Sequence, residues 1–121
     1  MKLSFLSAAA PLAMIIGATG TTVSAIAQAA PRRIEVIAKR FEYQPSQITL
    51  KRGEPVVLVL KSVDVPHGIR FKDLNVDIKS GKSQTSETPF TPEKTGTFVG
   101  HCSVFCGAGH GGMTLNLTVT E

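Results

Sequence analysis

The chain has 121 residues, 13 of them Lys or Arg and 9 Asp or Glu, for a formal charge of +4. A chain of that length supports one domain around a single core. Its basic residues are scattered from Arg32 to Lys94 without a run or interleaved aromatics, so composition argues against nucleic-acid binding.

From Leu3 to Pro31 there is no charged residue. Lys2 precedes an apolar middle at Phe5, Leu6, Leu12, Met14, Ile15 and Ile16, and small residues follow. Ala25-Ile26-Ala27 and Ala27-Gln28-Ala29 both fit an Ala-x-Ala cleavage site, so residues 1–29 read as a secretory signal. The alternative is an uncleaved anchor, since the uncharged stretch is long enough to span a bilayer. Either way residues 30–121 form the folded domain, placed in the periplasm or otherwise outside the cytoplasm.

Alternation through Ile34 and Val36 predicts a first strand over Arg33 to Ala38, which Phe41 and Tyr43 continue before Pro45. Ile48 and Leu50 mark a short second strand, closed by a turn at Lys51-Arg52-Gly53. The unbroken apolar run Val56 to Leu60 reads as a strand buried on both faces, with His67 at its far end. Leu74, Val76 and Ile78 alternate in the next strand, Lys79-Ser80-Gly81-Lys82 turns the chain, and polar Ser83 to Phe90 reads as an edge strand. Thr97 to His101 and Thr114 to Thr120 are the last two strands. Seven or eight short strands and no helix of convincing length predict an all-β fold, a two-sheet Greek-key sandwich.

Between those last strands lies Cys102-Ser103-Val104-Phe105-Cys106-Gly107-Ala108-Gly109-His110-Gly111-Gly112-Met113, which holds both cysteines and one of the three histidines. Two thiols, an imidazole and a thioether so close together suit copper better than a hard cation, because polarisable sulfur favours Cu(I) and imidazole accepts either oxidation state. Cys106, His110 and Met113 suffice for a one-copper site with His67 as the second imidazole. Cys102 is then left over, and two cysteines four positions apart are able to bridge two coppers.

The pattern Cys-Ser-x-x-Cys-Gly-x-x-His-x-x-Met from Cys102 to Met113 resembles the binuclear copper A (CuA) domain of cytochrome c oxidase subunit II and nitrous oxide reductase. Asp64-Val65-Pro66-His67-Gly68 is similar to the segment that supplies the family's first histidine. The resemblance implies a cupredoxin fold, with His67 and His110 each on one copper and Cys102 and Cys106 bridging. It further implies Met113 as axial ligand of one copper and the main-chain carbonyl of Val104 as axial ligand of the other.

Several alternatives stand beside this reading. A cysteine pair in an exported domain is also read as a disulfide, and Cys2His2 also suits zinc. His101 abuts Cys102, but on a strand its side chain points the other way, so it reads as a non-ligand. No carboxylate or serine within the motif offers a base or nucleophile, so the chain alone is not expected to be catalytic. The expected role is one-electron transfer, with a c-type cytochrome or similar redox donor at the His110 edge and a haem-copper oxidase as the assembly served. A membrane is a partner only if the N-terminal segment stays uncleaved. A copper carrier delivering metal to a respiratory oxidase is the alternative function.

Overall fold

The computed structural model describes residues 30–121 together with 9–13, 17, 18 and 20. The expected signal segment, residues 1–29, lies for the most part outside the described residues. Among the described residues no helix is long and apolar enough to cross a membrane.

Nine strands run in chain order: β1 (Arg32–Lys39), β2 (Glu42–Gln44), β3 (Gln47–Lys51), β4 (Val56–Ser62), β5 (His67–Phe71), β6 (Val76–Ser80), β7 (Thr85–Phe90), β8 (Gly96–His101) and β9 (Thr114–Thr120). They form one sheet of order β2-β1-β4-β7 and a second of order β3-β9-β8-β5-β6. This is the expected cupredoxin-like sandwich. β1 pairs parallel to β4 and β3 parallel to β9, and the other contacts are antiparallel.

Period-two alternation sets the core. On β9 Leu115, Leu117 and Val119 are buried while Thr114 and Asn116 are exposed, as a half-buried strand requires. β4 lies between β1 and β7, and its Val56, Leu58, Val59 and Leu60 are all buried. Burying each such aliphatic side chain contributes about 1.5–3 kcal/mol. Polar β7 is at a sheet edge, as its composition predicts.

The structure corrects three details. Phe41 and Tyr43 do not continue the first strand: the chain turns at Arg40 and Phe41, and β2 pairs back onto β1 with Tyr43 opposite Ala38. Leu74 belongs to a single 3-10 turn, Lys72–Leu74, with Asn75 in the left-handed region ending it. His67 opens β5 instead of closing the preceding strand. The physical reason is that Val63 to Pro66 carries the chain from one sheet to the other, and Pro66 has no N–H to continue a ladder.

Candidate metal centre

Three connections meet at one end of the sandwich: the turn between β1 and β2, the crossing from β4 to β5, and the long loop between β8 and β9. Strand parity aims the side chains. On β5, His67, Ile69 and Phe71 are buried while Arg70 is exposed, so His67 is presented to the interior. At the end of β8, His101 is exposed and Cys102 is buried. The Cys102 N–H donates to the Met113 carbonyl at 3.3 Å and pins the two ends of the loop together.

Both cysteines are free thiols. Their Sγ atoms lie 3.7 Å apart, too far for a disulfide, whose sulfurs sit at about 2.0 Å. The Cys106 Sγ is also 3.7 Å from Met113 Sδ and 3.7 Å from His110 Nδ1. The Val104 carbonyl oxygen turns inward to 3.1 Å from Cys102 Sγ. A ring nitrogen of His67 and the two sulfurs all lie within 4.8 Å of one another. The structure thus brings together all six residues named from the sequence. His67 and Met113 are fully buried, and His110 is half-buried beneath the exposed ring of Phe105, with centroids 5.6 Å apart.

The ring of His67 is held by Asp64, whose Oδ1 is 2.7 Å from Nε2. The same carboxylate accepts from the Arg40 N–H at 2.9 Å and the Val65 N–H at 2.8 Å. Burial pushes the Asp64 carboxyl up, but hydrogen bonds from Arg40, His67 and Val65 outweigh it and hold it down at about 2. An ionised carboxylate only accepts, so Nε2 carries the proton and Nδ1 keeps its lone pair. His67 Nδ1 is buried without a hydrogen-bond partner. Such an atom costs about 1–3 kcal/mol when nothing engages it, and the residue that carries it has a ring nitrogen within 4.8 Å of both thiol sulfurs, a donor set able to hold a metal.

Burial first, then the neighbouring Cys102, pushes the Cys106 thiol up to about 11. Without a metal, Cys106 therefore keeps its proton at neutral pH, and a metal must displace it. Burial, then Cys102, likewise pushes the Tyr43 hydroxyl up, so it stays a donor, to the Gly68 carbonyl at 2.5 Å.

Sequence reasoning missed the turn at Arg40 and Phe41 as a wall of the site. The Arg40 Nε donates to the Cys106 carbonyl at 2.9 Å, and the Phe41 ring lies against the loop that carries His110. A Cβ on Gly109 would fall 2.5 Å from that ring, so glycine allows the approach. Gly68 has the same role towards Ser103, whose Oγ would lie 2.1 Å from a Cβ there. The adjacent pair Arg40-Phe41, a cation beside an aromatic just before Tyr43, was the available signal. Nothing in it specified a turn.

A family profile described as a cupredoxin-like domain matches residues 10–115. Among curated proteins, cytochrome c oxidase subunit 2 of Thermus thermophilus is 29% identical over 99 residues, covering 80% of this chain and 73% of that one. Among solved structures, the periplasmic domain of subunit II of cytochrome oxidase of Bradyrhizobium japonicum matches with a TM-score of 0.69 at 22% identity, over 78% of this chain and 87% of that one. Auracyanin A, a blue copper protein of Chloroflexus aurantiacus, matches with a TM-score of 0.61 at 18% identity, over 75% of this chain and all of that one. At these identities the structural likeness speaks for the fold.

Proposed function

The chain belongs to the cupredoxin-like domain family and is homologous to the periplasmic domain of cytochrome c oxidase subunit II, and on that premise we propose an exported electron-transfer protein with a CuA-type binuclear copper centre. The reading assigns residues 1–29 to a cleaved signal and 30–121 to the mature domain. One observation carries it: two free thiols, buried and 3.7 Å apart, clustered with His67, whose buried Nδ1 has no hydrogen-bond partner.

The donor set fits copper, since thiolate, thioether and imidazole are the ligands that soft and borderline copper ions take. Cys102 and Cys106 would bridge, His67 and His110 would each bind one ion, and Met113 and the Val104 carbonyl would complete the set. When bound, copper supplies one-electron chemistry at a potential that the ligands tune. The chain's own contribution is rigidity and exclusion of water. His67 stands on a strand and is fixed by Asp64, the Cys106 carbonyl is held by Arg40, and Met113 begins the departure into β9. Sites held in this way change shape little when charge changes, which favours fast exchange. Half-buried His110 beneath exposed Phe105 offers the edge at which a c-type cytochrome or similar donor would approach, and a haem-copper oxidase would be the acceptor.

Cys102 separates this reading from a one-copper site, which has no need of it. Elemental analysis, optical spectra and electron-spin resonance of the copper-loaded chain should show two coppers, a purple colour, and hyperfine lines too many for one nucleus. Cys102→Ser should abolish all three. A variant that keeps its colour and copper content would overturn the binuclear centre, and one readily exchanged copper would point to metal delivery.

A further inference from the structure

The exposed face of the second sheet beside Cys102 carries charge for which the proposed centre has no use. Arg70 on β5 stands opposite His101 of β8 on one side and Asp77 of β6 on the other. These residues, with Lys72, Lys79 and Ser103, line an open depression that ends on Cys102. Asp77 is its one carboxylate, and it is already engaged by Lys79 Nζ at 2.7 Å and Ser103 Oγ at 2.7 Å. Among the described residues Arg70 and Lys72 form no ion pair. At the opposite end of the sandwich Arg32 is paired with Glu54 at 2.9 Å and Arg52 with Glu121 at 2.7 Å. The depression therefore sets three cations, Arg70, Lys72 and Lys79, against the single carboxylate of Asp77, beside Cys102, a residue that is 6% exposed.

We propose that this depression is the docking face for a one-electron redox protein that presents an acidic surface, with Cys102 as the point of electron passage. The inference rests on the copper reading. Complementary charge steers such a partner to the face and repels a basic one. An anionic membrane would satisfy the cations equally, but it has no use for a depression that ends on a buried sulfur. In the exchange the partner loses one electron and the centre gains it, and no bond is made or broken.

The test uses the full chain loaded with copper, two reduced probes of opposite charge, an acidic flavodoxin and a basic cytochrome c, and the variant Arg70→Glu/Lys72→Glu. Stopped-flow rates at low salt should fall about tenfold or more with flavodoxin in the variant and rise with cytochrome c, and the contrast should fade at high salt, as steering predicts. Copper content and colour, measured first, should be unchanged. Unchanged flavodoxin rates in a variant with full copper content would overturn the docking face. Binding of the wild type to phosphatidylglycerol vesicles but not to flavodoxin would overturn it as well. Failure of the wild type to take up copper would sink the metal reading alone. In that event amide shift mapping of oxidised flavodoxin on the copper-free chain still decides the face, with shifts expected at Arg70, Lys72 and Lys79 and their absence refuting it.

Discussion

Asp64→Ala removes a carboxylate that accepts from three donors, and its effect on the metal is separable from its effect on the fold. The Arg40 and Val65 N–H groups lose an acceptor, but the Asp64 side chain is 36% exposed, so water replaces part of the loss. The cost to the metal-free fold should be about 1–2 kcal/mol, the range for hydrogen bonds left partly satisfied. His67 cannot be rescued by solvent in this way, since its side chain is 0% exposed. Losing the group that orients a ligating histidine typically lowers metal affinity about 10–100-fold, which is about 1.4–2.7 kcal/mol. Copper affinity measured against a competing chelator, alongside urea unfolding of the metal-free chain, reads the two effects separately. Asp64→Asn keeps an oxygen able to accept from Nε2 and should recover most of the affinity. If Asp64→Ala bound copper as tightly as the wild type while remaining folded, the chain of reasoning from Asp64 through Nε2 to a metal on Nδ1 would be refuted. The same carboxyl gives a pH signature. Its pKa is about 2 in the fold against an ordinary 3.8, so between these values the unfolded chain binds more protons. Its stabilising contribution is therefore complete above about pH 4 and is lost as pH falls towards 2, a loss that metal-free Asp64→Asn should lack.

Two further outcomes test the surroundings of the site. His101→Ala should leave copper stoichiometry and colour unchanged, because its side chain lies on the solvent face of β8, and loss of copper on elemental analysis would make it a ligand. Leu117→Ala, at a position 1% exposed, should cost about 2–5 kcal/mol in denaturant unfolding. A cost below about 1 kcal/mol would mean that the inner face of β9 is not packed into the core.

The donor set was legible from sequence because its signal is chemical and local. Cys102, Cys106, His110 and Met113 share one loop, and no prediction of tertiary contacts is needed to see that soft donors crowd there. His67 was reachable because the loop supplies one imidazole and a second had to come from elsewhere, and the family resemblance strengthened that choice, but nothing local ties it to that loop. The sheets were legible in outline because strands such as β9 alternate cleanly. What stayed hidden was the contact between distant segments. Arg40 is far in sequence from the carbonyl it holds, and Phe41 looks like one more apolar position of the first strand until the chain is seen to turn there. Asp64 was visible as part of a motif, but its role depends on His67 opening β5 with Nε2 towards it, which spacing alone does not specify.

The neighbourhood of the two sulfurs is built from four stretches that come together only when both sheets close: the turn at Arg40, the crossing at Asp64 to His67, and both ends of the loop from Cys102 to Met113. Neither thiol has a local shelter that would survive the separation of the sheets. The rate at which a thiol reagent labels Cys106 in the metal-free chain therefore reports separation of these stretches, and that cysteine acts as a built-in gauge of the junction they form.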